Sequence, residues 1–306
     1  MADRIYIDRP LPPGFDQLFG PDWEVVGPDP DELPTCRAAI AGASLWPADR
    51  IGEGAMLEVI SRSGIGFDTV DLAAAAAQGV VVCNTPDAPS ISTAEHTLSL
   101  LMAATKFTAN NVARLRAGRH DFYAANEGIE LAGSTIGVVG FGRIGSRVAR
   151  MCAAIDMRVL VCDPYVEVVE HEQVDLATIL AESRIITLHT PLTDETRNLL
   201  DADAFAAMSD GVVIVNAARG GVIDTSALVA ALDSGKVYAA GLDVTAPEPL
   251  EPGHTLLNRD NVVVTPHIAS ATDKGRQRMY RGAIENARQV LAGERPQNVV
   301  NPEVYN

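Results

Sequence analysis

Val138-Val139-Gly140-Phe141-Gly142-Arg143-Ile144-Gly145 carries glycines at Gly-x-Gly-x-x-Gly spacing. Such a turn can hold the pyrophosphate of a dinucleotide. Gly140 permits a tight turn, Gly142 lets the backbone come up to the phosphates, and Gly145 lets the following helix lie close to its strand. The first turn of that helix adds N–H groups and the positive end of its dipole. In a chain with 25 glycines the bare pattern is weak. Its setting strengthens it: an apolar run precedes it, and Ile144, Val148, Met151 and Ile155 form one apolar stripe after it. The alternative is an ordinary strand-to-helix turn. Asp163 closes the next apolar run, about 20 residues past the last glycine, where a carboxylate receives ribose hydroxyls and repels a 2′-phosphate. That points to NAD rather than NADP; the competing use is a turn cap ahead of Pro164.

Three other polar clusters follow apolar runs. They are Asn216-Ala217-Ala218-Arg219-Gly220-Gly221, Asp243-Val244-Thr245-Ala246-Pro247-Glu248-Pro249 and Thr265-Pro266-His267. Ligands of open α/β sheets sit at the carboxyl ends of the strands, so clusters this far apart in sequence can meet there. Singly, each has a plain reading: a structural histidine, a loop charge at Glu248, a surface arginine at Arg219. In the first third, Ser61-Arg62-Ser63-Gly64-Ile65-Gly66-Phe67-Asp68 follows another apolar run. Its glycines can expose backbone N–H groups to an anion, or form a flexible turn. Thr93 or Ser92 is expected to cap a long helix, with His96 in its first turn as a structural residue. Cys36, Cys83, Cys152 and Cys162 show no metal spacing; they read as buried reduced thiols, and no metal is expected.

These residues need rigid strands behind them. Apolar runs lie over 4–8, 38–41, 57–62 and 80–84, then over 135–140, 158–163, 185–189, 212–216, 239–244 and 262–265. Most are continuous rather than alternating, as in parallel strands buried on both faces. Helical stretches lie between them, the clearest over 143–155. This alternation predicts an α/β chain with right-handed crossovers. A strandless helical stretch over 93–116 separates two such series, so two domains are expected. Helix 273–291 can return the chain to the first domain, where the tail 298–302 packs as a strand-like segment.

Together these pieces resemble the D-isomer-specific 2-hydroxyacid dehydrogenase family over nearly the whole chain. The matching motifs are residues 140–145, His189-Thr190-Pro191-Leu192, residues 216–221, Leu242-Asp243-Val244 with Glu248-Pro249, and Pro266-His267. The glycerate dehydrogenase, glyoxylate/hydroxypyruvate reductase and phosphoglycerate dehydrogenase branches share most of them. The resemblance implies two doubly wound parallel-sheet domains. A Rossmann NAD-binding domain over 99–285 is inserted into a flavodoxin-like substrate domain made of 1–98 and 286–306. Catalytic roles fall on Arg219, Glu248 and His267. The implied NAD contacts are Gly140, Gly142, Arg143, Ile144, Gly145, Asp163, Thr190, Ala217, Ala218, Arg219, Asp243 and His267. The implied substrate contacts are Ser63, Gly64, Ile65, Arg219 and His267. A homodimer is implied as well, embraced by an arm near Arg119-His120-Asp121-Phe122-Tyr123.

The implied roles make chemical sense. Reducing a 2-oxo acid needs a hydride at the carbonyl carbon and a proton at its oxygen. An imidazole titrates near neutral pH and can supply that proton. A neighbouring carboxylate holds the ring in one tautomer and favours the imidazolium. A guanidinium offers a planar fork to a carboxylate and to a polarised carbonyl.

Composition narrows the partners. A net charge of −16 opposes phosphate backbones and anionic membrane surfaces. Hydrophobic content of 47% with 21% charged residues is that of a globular chain. With no basic start followed by a long apolar stretch, a cytoplasmic location is expected. The function expected is NAD-dependent hydride transfer with a small D-2-hydroxy acid or its 2-oxo acid, such as glyoxylate or hydroxypyruvate. One alternative is a D-3-phosphoglycerate dehydrogenase, although Gly42-Ala43-Ser44-Leu45 stands where that branch carries an arginine. Another is an NAD(H)-sensing, corepressor-like binding protein.

Overall fold

The computed structural model describes residues 2–42, 44–120 and 127–305. Asp121, Phe122 and Tyr123 of the expected dimer arm fall outside them. The chain begins with β1 (Asp3–Ile7), β2 (Trp23–Val26), β3 (Ala38–Ala41), α1 (Ala48–Glu53), β4 (Val59–Arg62), α2 (Leu72–Ala77) and β5 (Val81–Cys83). Two helices follow, α3 (Ser90–Thr105) and α4 (Thr108–Arg116). A second series runs β6 (Thr135–Val139), α5 (Gly145–Ala153), β7 (Arg158–Cys162), β8 (Glu172–Gln173), α6 (Leu176–Glu182) and β9 (Ile185–Leu188). It continues with α7 (Ala202–Ala207), β10 (Val212–Asn216), α8 (Thr225–Asp233), β11 (Val237–Leu242) and β12 (Val262–Val264), before α9 (Asp273–Leu291).

Two compact units result, residues 1–90 with 271–306, and residues 91–270. The first unit holds one sheet in the order β2-β1-β3-β4-β5, with every pairing parallel. The second holds a parallel sheet in the order β8-β7-β6-β9-β10-β11-β12. Both are doubly wound, and in each the strand order reverses beside the first strand of the series. The reversal beside β6 is where such folds receive a nucleotide.

Both sheets are covered on two faces, which is why their strands read as unbroken apolar runs. In the first unit Ile5, Ile40 and Val59 pack against Tyr280, Ala283, Ile284 and Ala287 of α9. Tyr6, Ala39 and Ile60 face the other way, onto Trp46 and Ile51. In the second unit Ile136, Val138, Val213 and Val215 meet Leu100, Leu101, Val148 and Cys152. Ile186, Leu188 and Ile214 meet Ile179, Phe205 and Leu228.

The tail packs as expected. Val300 N–H donates to Val82 O at 2.8 Å, and Asn84 N–H to Asn298 O at 3.1 Å. The fully buried Asn301 accepts from Val82 N–H at 2.7 Å and donates to Val80 O at 2.9 Å.

Several expectations need correction. The unit boundaries lie at 90/91 and 270/271, not at 98/99 and 285/286, because the whole of α9 packs on the first sheet. The helix expected over 93–116 is two helices, broken at Phe107 with its left-handed φ of 51°. It begins at Ser90, directly after Pro89, so Ser92 and Thr93 lie inside it rather than capping it. Strands β2 and β8 were not expected: both are edge strands, too short and too exposed to read as apolar runs.

Candidate active site

Parallel register aligns the site. Across six neighbouring strands the last residues pair in one row: Val264 with Leu242, Leu242 with Asn216, Asn216 with Leu188, Leu188 with Val139, and Val139 with Cys162. The segments that follow therefore leave one edge of one sheet. They carry His267, Asp243, Ala217 to Arg219, Thr190, Gly140 and Asp163. Five interstrand spacings of about 4.8 Å spread this row over roughly 24 Å.

At the row's end stand a histidine and a carboxylate. His267 Nδ1 lies 2.6 Å from Glu248 Oε1. An ionised carboxylate only accepts, so Nδ1 carries the proton and Nε2 remains to exchange one. Glu248 is itself steered by the Thr245 N–H, 3.3 Å from its Oε2. His267 adopts a left-handed φ of 52°, rare for a residue with a Cβ. Its N–H donates to the carbonyls of Asp243 at 2.8 Å and Thr265 at 3.0 Å, which hold that turn.

Asp243 secures the same turn from below. Its carboxylate is 1% exposed. It accepts from Thr265 Oγ1 at 2.6 Å, Ile268 N–H at 2.9 Å and Ala269 N–H at 2.8 Å, with His96 Nε2 at 3.3 Å. Burial pushes this carboxyl upward, but the bonds from His96, Thr265 and the two N–H groups outweigh it, and its pKa ends below the usual range. His96 Nε2 also lies 3.1 Å from Thr265 Oγ1. Sequence reasoning gave His96 a structural role and passed over Thr265; both belong to the network around Asp243. Thr265 stood in plain view as the strand-end hydroxyl of Thr-Pro-His.

Arg219 follows the buried Asn216, which shapes its turn by accepting from Ala218 N–H at 2.9 Å and donating to Arg219 O at 2.9 Å. Next to it, a Cβ on Gly220 would stand 2.0 Å from Thr245 O, so the segments of Arg219 and Glu248 touch through their backbones.

The glycine turn fits a dinucleotide. Gly140 has φ of 92°, and a Cβ there would come within 2.8 Å of His189 O. A Cβ on Gly145 would lie 2.0 Å from Gly140 O, so helix α5 can start only with glycine at this point. A Cβ on Gly142 would meet nothing within 4 Å, which leaves its backbone open for phosphate to approach. Phe141 N–H donates to Asp163 Oδ2 at 2.7 Å and Tyr165 N–H to Oδ1 at 2.8 Å, so the strand-end carboxylate is anchored to the turn it serves. Alongside, Thr190 Oγ1 and His189 Nδ1 are buried side-chain atoms with no hydrogen-bond partner among the described residues. His189 Nε2 meets Thr187 Oγ1 at 3.0 Å, and burial pushes the ring's pKa down to about 3. Orphaned polar atoms beside an open glycine backbone suit a polar ligand.

Ser63, Gly64 and Ile65 belong to the first unit, after β4. Thr85 N–H binds Gly64 O at 2.9 Å, Asn84 Nδ2 binds Ile65 O at 2.7 Å and Arg62 Nε binds Gly66 O at 2.8 Å. With these carbonyls turned into the protein, the N–H groups of Gly64, Ile65 and Gly66 find no acceptor among the described residues.

Fold and site thus define a class: an α/β protein with a dinucleotide turn at the switch point of one sheet and a histidine–carboxylate pair on the same edge. The chain belongs to the D-isomer specific 2-hydroxyacid dehydrogenase family, whose NAD binding domain matches residues 98–269. It is 37% identical to a glyoxylate reductase of Aeropyrum pernix, covering 98% of this chain and 96% of that one. It is 42% identical to a D-3-phosphoglycerate dehydrogenase of Archaeoglobus fulgidus over 80% of this chain, yet spans only 47% of that protein. The matched stretch thus spans about half the length of that relative. Among solved structures, the D-lactate dehydrogenase of Aquifex aeolicus in complex with NAD and lactic acid superposes with a TM-score of 0.84 at 27% identity, covering 98% of this chain and 99% of that one. Among the described residues no three potential ligands cluster as a metal site, and no helix is long and apolar enough to cross a membrane.

Proposed function

We propose that the protein is an NAD-dependent dehydrogenase that interconverts a small D-2-hydroxy acid and its 2-oxo acid, such as glyoxylate or hydroxypyruvate. The observation that carries this reading is the His267–Glu248 pair on the same sheet edge as the dinucleotide turn. Bound NADH supplies the hydride. His267 Nε2 gives the carbonyl oxygen its proton in reduction and takes it back in oxidation. Glu248 holds the ring by Nδ1 in one orientation and tautomer. Arg219 polarises the carbonyl and receives the carboxylate through its fork. In the first unit, Ser63, Gly64 and Ile65 are assigned to the substrate by the family resemblance.

The cofactor set is Gly140, Gly142, Arg143, Ile144, Gly145, Asp163, Thr190, Ala217, Ala218, Arg219, Asp243 and His267. Its chemistry fits: N–H groups and room for phosphates near the glycines, a carboxylate for ribose at Asp163, and unpaired polar atoms near Thr190. The division of labour assigns substrate to the unit of 1–90 and 271–306, and NAD to 91–270.

Following NADH absorbance with a panel of 2-oxo acids tests the reading. Turnover of at least one supports it; NADH binding without turnover of any favours the corepressor-like alternative. We also infer a cytoplasmic homodimer. Four unpaired cysteines suit a reducing compartment, and the family resemblance suggests the dimer. Sedimentation at a single chain's 32.4 kDa would overturn the latter.

A further inference from the structure

We propose that Gln173 is a positioning residue for the cofactor: it locks the loop that carries Asp163 and so sharpens the preference for NAD over NADP. The proposal rests on the reading of Asp163 as the ribose carboxylate. Strand β8 brings Gln173 level with Val161 of β7, two residues before Asp163, and Val174 N–H donates to Val161 O at 2.8 Å. From there the side chain reaches into the loop that joins the two strands. Its Nε2 donates to Asp163 O and to Val166 O, both at 2.8 Å. Its Oε1 accepts from Val168 N–H at 3.1 Å. Two carbonyls and one N–H surround the amide, so its partners fix which end is nitrogen.

Among the described residues, no backbone group of 163–171 pairs with another backbone group. One side chain does what backbone pairing does elsewhere, closing the loop at three points. The same loop meets the glycine turn. Phe141 N–H and Tyr165 N–H donate to the two oxygens of Asp163, and the rings of Phe141 and His171 meet edge to face with centroids 6.0 Å apart. An exposed glutamine left in water keeps many rotamers, and fixing it costs entropy. Three bonds on one amide offset that cost by acting together. Asp163 is thereby held twice: at its carbonyl by Gln173, and at its carboxylate by the two N–H groups. A carboxylate held in place binds the ribose hydroxyls of NAD and repels the 2′-phosphate of NADP. One that swings with its loop does both less well, because affinity falls with the fraction of loops in the binding shape.

The test titrates the full chain with NADH and, separately, with NADPH by fluorescence, so it needs no turnover. The wild type should bind NADH more tightly than NADPH. Gln173→Met keeps the length of the side chain and removes its three bonds. It should raise the Kd for NADH about 10-fold, the scale of one or two net hydrogen bonds, and change that for NADPH less than about 3-fold. A merely structural loss would weaken both alike. Glu172→Gln breaks the 2.8 Å ion pair with Arg158 on the same strand, and should leave both Kd values within about 2-fold. Asp163→Asn should narrow the ratio of the two Kd values at least as far as Gln173→Met. If Asp163→Asn narrows the ratio and Gln173→Met does not, the proposal fails while the reading of Asp163 stands. If Asp163→Asn leaves the ratio unchanged, or the wild type binds both cofactors alike, both fail. Equal effects of Glu172→Gln and Gln173→Met would place the role in strand β8 rather than in the amide, and would overturn the proposal as well.

Discussion

In the proposed reaction His267 is the residue that gives and takes the proton. Replacing it with asparagine keeps a polar side chain but removes the proton that Nε2 would transfer. Expected is a fall in kcat of about 100-fold or more, with NADH affinity nearly unchanged. Stopped-flow turnover beside a fluorescence titration of NADH checks both; a variant within a few-fold of wild type in kcat would exclude the role. His189 illustrates a different use of the same side chain. Its burial holds the ring neutral, with a pKa near 3 against about 6.5 in the unfolded chain. Between those values the unfolded state binds the extra proton, so this residue lowers stability as the pH falls from about 6.5 toward 3. Urea midpoints at pH 7 and pH 5 should therefore differ less in His189→Asn than in wild type; an equal difference in both would contradict the assignment. At this scale the types of Arg219, Glu248 and His267 were legible in the sequence. The network joining His96 to Thr265 and Asp243 was not, because it is made by side chains from elements far apart in the chain.

The elements explain why those residues hold still. The segments of Arg219, Glu248 and His267 each follow a strand of the seven-stranded sheet, and backbone pairing sets those strands level. The tightest constraint is the start of α5. Gly145→Ala places a Cβ against the Gly140 carbonyl, and backbone must move to relieve it. The variant is expected to lose about 1–3 kcal/mol of stability and to bind NADH more weakly. Urea unfolding and an NADH titration measure the two; an unchanged titration would mean that the turn does not carry the cofactor. Central strands and long helices were readable because continuous apolar runs and apolar stripes come from burial itself. Edge strands β2 and β8 lack that signal. The break at Phe107 escaped too, since no glycine or proline marks it.

For the molecule as a whole, the two sheets have different strand orders, and the proposed reading gives the cofactor to the seven-stranded one. NADH is expected to slow amide exchange at the carboxyl edge of the seven-stranded sheet, around residues 140–146, 189–190 and 217–219. Mass-spectrometric hydrogen exchange reports this directly. Protection confined to residues 63–67 of the other sheet would reverse the assignment of cofactor and substrate.

The amino-acid sequence by itself determined the alternation of strands and helices, the dinucleotide turn and the residue types of the acid–base pair. These are local: they follow from burial periodicity, from glycine's missing Cβ and from side-chain chemistry. Only the tertiary structure decided that α9 belongs wholly to the first unit, that Asp243 braces the turn of His267, and that Arg9 lies over Gly42. Those facts depend on which strands become neighbours and in what register, and parallel pairing joins residues that the chain keeps far apart.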